Sequence, residues 1–257
     1  MSDSNIRRDI VECCRRVYQK GYVASNDGNL SVRVGPDHVI CTPRGRNKGS
    51  LQPDDLVDIN MQGIVLNGNG LPSTEIPMHL AIYNARNDAT AVVHAHPIYA
   101  TGFATSGMDL SGCVAPEIIT TLGSIPLAAY GTPSTEELPR AIVDVMQNAD
   151  ACLMANHGVV TCGKDIFDAY YKLERVEHYA HILFVSRMLG GERLLTREQV
   201  GKLDNIRQTY GTQNAPNPGC IACGEECLGP SCSLYEKKQA MADDIDMTIR
   251  QIIEARA

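Results

Sequence analysis

The sequence predicts a mixed α/β chain folded as a layered sandwich. Segments with a helical apolar period alternate with short β-branched runs, and turn signatures between those runs are of the kind that close hairpins. No internal repeat points to a solenoid or propeller instead. At 257 residues, with 44% hydrophobic and 21% charged residues, the composition is that of an ordinary globular chain able to bury a large core.

The elements follow in order. "NIRRDIVECCRRVYQK" (5–20) sets Ile6, Ile10, Cys13, Cys14 and Val17 on one helical face, and Gly21 is placed to end that helix. "SNDGNLSVRVG" reads as a turn feeding a strand, with "HVICTP" as its partner beyond a Gly35-Pro36-Asp37 turn. "LVDINMQGIVLNGNG" reads as a second hairpin. A helix is expected from Glu75 to Arg86, with Pro77 tolerated in its first turn. "AVVHAHPIYA" (91–100) is a strand that Pro97 must end, because proline lacks the ladder's donor. A helix near 97–106 and a short strand at "IPLAAY" come next. A further helix is expected behind Ser134 or Thr135, whose "STEEL" supplies a cap and acidic first-turn residues. "ACLMANHGVVTCG" reads as an apolar strand broken at Asn156-His157-Gly158, followed by long helices at 165–189 and 196–209. The polar linker "GTQNAPNPG" divides the chain into a domain over 1–211 and a small Cys-rich module with a C-terminal helix over 212–257.

Charge and composition exclude several roles. A net charge of −7 argues against a nucleic-acid binder, since phosphate neutralisation needs clustered positive charge. The basic cluster "PRGRNKG" (43–49) suits a single phosphate, not a duplex. No apolar run reaches the ~18–20 residues of a membrane span, and "MSDSNIRRDIVECC" lacks the layout of a signal peptide. A cytoplasmic protein without membrane or nucleic-acid partners is therefore expected. Of 10 cysteines, Cys13, Cys14, Cys41, Cys113, Cys152 and Cys162 are scattered through apolar contexts, where a free thiol acts as a small hydrophobe.

The chemistry concentrates at three strand or helix ends. His94 and His96, two residues apart, point to the same face of a strand. The pair suits a metal, or one core histidine beside one solvated one. His157 also ends an apolar strand and precedes Gly158, which permits close approach; with the first two it makes a three-histidine set with an open coordination position. "LPSTEIPMH" presents Ser73, Thr74, Glu75 and His79 at a loop-to-helix junction. Its hydroxyls can hold a phosphate at a helix N-terminus or simply cap the helix, leaving Glu75 to move protons.

Six blocks in order, "SNDGNLS" (25–31), "TPRG" (42–45), "PSTE" (72–75), "HAH" (94–96), "NHG" (156–158) and "TYG" (209–211), resemble the class II aldolase/adducin family typified by L-fuculose-phosphate aldolase. The resemblance implies a three-layer α/β/α sandwich around a mostly antiparallel central sheet, assembled as a homotetramer with sites between subunits. It implies a divalent metal, most often zinc with manganese, cobalt or iron(II) as alternatives, on His94, His96 and His157, which Glu75 can also approach. Glu75 corresponds to the family's general acid/base. Asn29, Gly45, Ser73 and Thr74 correspond to its phosphate contacts, and Tyr210 to a tyrosine that reaches a neighbour's site.

The implied activity is reversible cleavage of a ketose 1-phosphate, of the 5-deoxyribulose, fuculose or methylthioribulose type, to dihydroxyacetone phosphate and an aldehyde. Breaking a C–C bond beside a ketone leaves an enediolate, whose charge a metal with an open position offsets as a Lewis acid. No lysine lies inside the six blocks, so a Schiff-base route is not suggested.

Two departures bear on the substrate. Arg44 stands where the fuculose enzyme has a small hydroxyl residue, and a guanidinium fits a phosphate or carboxylate. That enzyme's second tyrosine has no counterpart in "CVAPEIITTLGSIP", where Glu117 lies instead without an assigned role. Methylthioribulose-1-phosphate dehydratase, sugar-acid phosphate decarboxylase and pentulose-phosphate epimerase chemistry are the enzymatic alternatives. The epimerases usually carry aspartate at the Glu75 position. An adducin-like binding module is the non-enzymatic alternative, against which all three histidines are retained. The tail adds "CIACGEECLGPSC", in which Cys220, Cys223, Cys227 and Cys232 suit a second, structural zinc, an iron–sulfur cluster or a metal-free loop. Beyond it, Met241, Ile245, Thr248, Ile249 and Ile252 share a helical face.

Overall fold

A computed structural model describes residues 3–209. Helix α1 (Asp3–Gln19) is followed by strands β1 (Asn29–Gly35), β2 (His38–Cys41), β3 (Val57–Ile59) and β4 (Val65–Asn67). Then come α2 (Ile76–Ala85), β5 (Ala91–Ala95), α3 (Ile98–Thr105), α4 (Pro116–Thr121), β6 (Leu127–Ala128) and α5 (Glu137–Met146). Strands β7 (Ala151–Met154) and β8 (Gly158–Gly163) and helices α6 (Ile166–Met188) and α7 (Arg197–Thr209) complete the order.

The eight strands form one sheet in the order β4-β3-β2-β1-β5-β8-β7-β6. Every pairing is antiparallel except that of β6 with β7. Successive strand residues face opposite sides, and both sides are apolar. Along β5, Ala91, Val93 and Ala95 pack with Ile10 of α1, Phe103 of α3 and Leu173 of α6, whereas Val92 packs with Met78 and Ile82 of α2 and Ile142 of α5. The same alternation runs along β7, with Ala151 and Leu153 on the first side and Cys152 and Met154 on the second. A three-layer α/β/α sandwich results. No helix among the described residues is long and apolar enough to cross a membrane.

The parity of the strands places the polar residues. His94 shares the α2-facing side with Val92, and on β1 Asn29 and Ser31 take that side while Leu30 and Val32 take the other. The register sets Asn29 directly opposite His94, so both are brought to one end of the sheet.

Local differences from the sequence reading have physical causes. The broken apolar strand is a hairpin. Asn156 takes a positive φ of 56° and turns the chain, so β7 and β8 pair antiparallel. The "IPLAAY" strand shrinks to two residues, and α4 is a helix that the sequence reading did not foresee. Helix α5 begins at Glu137, with Glu136 rather than Ser134 or Thr135 at the cap; Thr135 Oγ1 still accepts from the Glu137 amide, while Ser134 turns at φ 64°. In α2 the cap position falls to Glu75 itself, and its side chain makes no capping bond. The expectations for Tyr210, for the division at 211/212 and for Cys220, Cys223, Cys227 and Cys232 lie outside the described residues.

Candidate active site

Four chain segments deliver the site. β1 begins with Asn29, the cap of α2 is Glu75, β5 carries His94 near its end and the chain runs on to His96, and the β7–β8 turn carries His157. Strand β5 stops at Ala95, so His96 stands one residue beyond it, anchored by its amide bond to the Tyr22 carbonyl at 2.8 Å. The strand parity still carries His96 to the side of His94. The imidazole centroids of His94 lie 4.8 Å from those of His96 and His157, and one ring nitrogen from each histidine lies within 4.8 Å of the others.

Two glycines permit this crowding. Gly28 has φ 72°, and a Cβ there would stand 2.8 Å from the His94 carbonyl. A Cβ on Gly158 would stand 2.6 Å from both the Ala95 carbonyl and His96 Cδ2. Such approaches are closed to any larger residue without movement.

The hydrogen bonds define the ring states. His94 Nδ1 lies 2.9 Å from the Val159 carbonyl, which only accepts, so Nδ1 carries the proton and Nε2 presents its lone pair. That Nε2 faces His96 Nε2 at 3.1 Å and Glu75 Oε2 at 3.4 Å. His157 Nε2 lies 3.1 Å from Glu75 Oε1, and its Nδ1 is buried without a partner among the described residues. Asp27 stands 3.7 Å from His96 Nδ1, on the far side of that ring. Burial pushes the His94 imidazole down to about 3 and lowers His96 as well, so both favour the neutral form that binds metals. Burial raises the Glu75 carboxyl, but His94, His157 and the Asn29 amide together hold it below the usual carboxylate range.

This donor set fits a divalent cation. Nitrogen lone pairs and carboxylate oxygens converge there, and an orphaned ring nitrogen lies in the same cluster. The carbonyl behind His94 is the outer-shell partner that fixes a ligand's tautomer.

The anion-binding candidates gather around Glu75. Asn29 Nδ2 donates to Glu75 Oε2 at 2.8 Å and to Ser73 Oγ at 3.3 Å. The Arg44 amide bonds the Leu71 carbonyl at 2.8 Å and Pro43 bridges to Pro72, so the loop bearing Arg44 and Gly45 lies along the one bearing Ser73 and Thr74. Arg44, Gly45 and Thr74 are exposed there, and Gly45 has φ 70°. Ser73 Oγ lies 3.4 Å from the Glu75 amide, a weak local bond that leaves its hydroxyl available. Glu117 is exposed in the first turn of α4.

Sequence reasoning missed three supporting residues. Lys48, only 2% exposed, donates to the Asn26 and Arg46 carbonyls at 2.9 and 3.0 Å and so ties together the two loops flanking the site. Burial lowers its pKa. Ser31 and Tyr83 join His79 behind Asn29. The signal for His79 was its spacing, one helical turn after Glu75 on the same side of α2.

A mixed sheet between helical layers thus carries at one end a three-histidine cluster beside the Glu75 carboxylate, a donor set able to hold a metal. The chain belongs to the class II aldolase and adducin family: residues 8–184 match the Class II Aldolase and Adducin N-terminal domain. It is 32% identical over 186 residues to the L-fuculose phosphate aldolase of Methanocaldococcus jannaschii, covering 71% of this chain and 98% of the relative. It is 29% identical over 207 residues to the 3-oxo-tetronate 4-phosphate decarboxylase of Escherichia coli, covering 78% and 96%. Among solved structures, an L-fuculose 1-phosphate aldolase superposes with a TM-score of 0.75 at 27% identity, covering 81% of this chain and 98% of that one. These relatives are named as aldolases and a decarboxylase, each of a phosphorylated compound.

Proposed function

We propose that the protein is a metal-dependent lyase that reversibly splits a ketose 1-phosphate into dihydroxyacetone phosphate and an aldehyde. The observation that carries this reading is the meeting of Glu75 with the three histidines, its carboxylate oxygens 3.1 Å from His157 Nε2 and 3.4 Å from His94 Nε2. His94, His96 and His157 would hold a divalent cation, zinc being favoured by an all-imidazole set. When bound, the cation supplies a Lewis acid beside which negative charge on substrate oxygens is stabilised.

The chain's own residues do the rest. In the condensation direction Glu75 takes a proton from the hydroxylated carbon of dihydroxyacetone phosphate, and in cleavage it returns that proton. Asn29 holds the carboxylate from behind through Nδ2 at 2.8 Å, fixing which oxygen faces the substrate. Ser73 and Thr74, with Arg44 and Gly45 on the neighbouring loop, bind the phosphate and convert a remote contact into positioning of the reacting carbons. Tyr210 serves as proton donor to the aldehyde-end oxygen, supplied from a neighbour in a homotetramer.

Decarboxylation is the second reading, favoured by the relative named for it and by Arg44, whose guanidinium suits a carboxylate as well as a phosphate. Loss of carbon dioxide from a 3-oxo-tetronate 4-phosphate leaves the same three-carbon phosphate, so one assay separates the readings. The full-length, metal-loaded enzyme is incubated with fuculose 1-phosphate, 5-deoxyribulose 1-phosphate, methylthioribulose 1-phosphate and 3-oxo-tetronate 4-phosphate. Dihydroxyacetone phosphate with an aldehyde, lost on chelation and in Glu75→Gln, is the expected result. Release with carbon dioxide alone selects the decarboxylase, and no release from any of the four refutes both.

A further inference from the structure

His79 is fully buried, yet it makes polar contacts on both ring nitrogens. Its Nε2 lies 2.6 Å from Asn29 Oδ1 and its Nδ1 lies 2.7 Å from Ser31 Oγ. Ser31 Oγ in turn lies 2.8 Å from the Tyr83 hydroxyl, which also donates to the Ser31 carbonyl at 3.0 Å. On its other side Asn29 reaches Glu75 Oε2 at 2.8 Å. A continuous line of polar atoms thus runs from Tyr83 inside the sandwich to the carboxylate at the candidate site.

With a neutral imidazole, the carboxylate end fixes the order of protons along the line. An ionised carboxylate can only accept, so Asn29 must turn its NH2 toward Glu75. Its carbonyl oxygen then faces His79, which must donate from Nε2. Nδ1 is left with a lone pair and accepts from the Ser31 hydroxyl, while the single Tyr83 proton is shared between Ser31 Oγ and the Ser31 carbonyl. The opposite tautomer would force the Asn29 amide to flip and set its carbonyl oxygen 2.8 Å from Glu75 Oε2, oxygen against oxygen. An apolar side chain of similar volume at position 79 could fill the space but could not make this choice.

We propose that His79 is a positioning residue, which by donating from Nε2 holds the Asn29 amide with its NH2 toward Glu75 and Ser73. The inference rests on the reading of Glu75 as the proton carrier, and extends it from the carboxylate to the interior group that orients its partner. A flipped Asn29 would present a carbonyl to both the carboxylate and an incoming phosphate, opposing reaction and binding together. Burial also pushes the His79 imidazole down to about 3, which keeps the ring neutral and the tautomer single-valued at ordinary pH.

The first test needs no variant. In full-length, zinc-loaded protein with nitrogen-15-labelled histidine, long-range proton–nitrogen correlation should show His79 as the Nε2–H tautomer. An Nδ1–H or doubly protonated ring overturns the proposal. This readout is independent of catalysis, so it stands even where no tested substrate turns over and the functional reading falls.

Where dihydroxyacetone phosphate release is measurable, His79→Leu should lower kcat/KM by about tenfold to a hundredfold. His79→Gln, which keeps a donor toward Asn29, should stay within about threefold of the native enzyme. In an Asn29→Ala background, His79→Leu should cost no more than about a further twofold, because the group it positions is gone. Equal losses with and without Asn29 would mean that His79 acts through packing, which contradicts the proposal. Should His79→Leu not fold, the native tautomer and the His79→Gln activity decide the question on their own.

Discussion

The polar cluster around Arg86 and the one around His94 are both buried, and they are built on opposite rules. Arg86 donates to Asp88, to Asp150 and to the Met146 and Ala149 carbonyls, while Lys172 donates to Asp150, Asp168 and the Cys162 carbonyl. Donors and acceptors alternate there, and positive charge faces negative. Around His94 the order is broken. Ring nitrogens meet at 3.1 Å, a carboxylate faces two of the rings, and a buried Nδ1 on His157 has no partner among the described residues. Among the described residues the first cluster is complete, whereas the second leaves a buried polar atom unanswered. A buried polar group left unmatched costs stability unless a ligand answers it, and here that group marks the site.

The contrast is broken most sharply by exchanging the behaviour of the two clusters. Glu75→Gln should lower turnover by about 10³-fold, as expected for removal of a general acid/base. Its melting temperature should stay at or above the native value, measured by calorimetry alongside the dihydroxyacetone phosphate assay. Asp150→Ala should do the reverse. It strips a shared carboxylate from Arg86 and Lys172 and should destabilise the fold by about 3 kcal/mol in denaturant titrations, with kcat unchanged.

Gly158→Ala tests the geometry between those extremes. Its Cβ would press on His96 Cδ2 and the Ala95 carbonyl, each at 2.6 Å. Metal affinity should fall by about tenfold to a hundredfold in a competitive chelator titration, the size of effect seen when a ligand's support is disturbed. At the small end, Lys202→Ala removes an exposed pair with Glu198, and neither melting temperature nor activity should move.

Much of this was legible in the sequence because periodicity carries parity. The two-residue spacing of His94 and His96 placed both on one side of β5 even though His96 lies past the strand, and Gly158 beside His157 marked the close approach. Leu30 and Val32 alternating with Asn29 and Ser31 carried the same information along β1. What periodicity cannot show is register. That Asn29 stands opposite His94, and that Thr74 is exposed while Ser73 reaches Asn29, depends on strand pairing and loop course. His79 was visible but carried no assignable role, since a buried histidine on an apolar helix face is meaningful only through what meets it. The short helix α4 was missed because six residues give too little period to read.

On the proposed reading, the three histidines hold a divalent metal on which C–C bond cleavage depends. The most direct test of that reading is bound metal per chain, measured by elemental analysis on the native full-length protein and on His157→Ala, with dihydroxyacetone phosphate release assayed on the same samples. The variant should carry one divalent ion fewer per chain, with release abolished and restored to the native enzyme alone when zinc is returned after chelation. Equal metal content in the two proteins, or release that persists without metal, would contradict it.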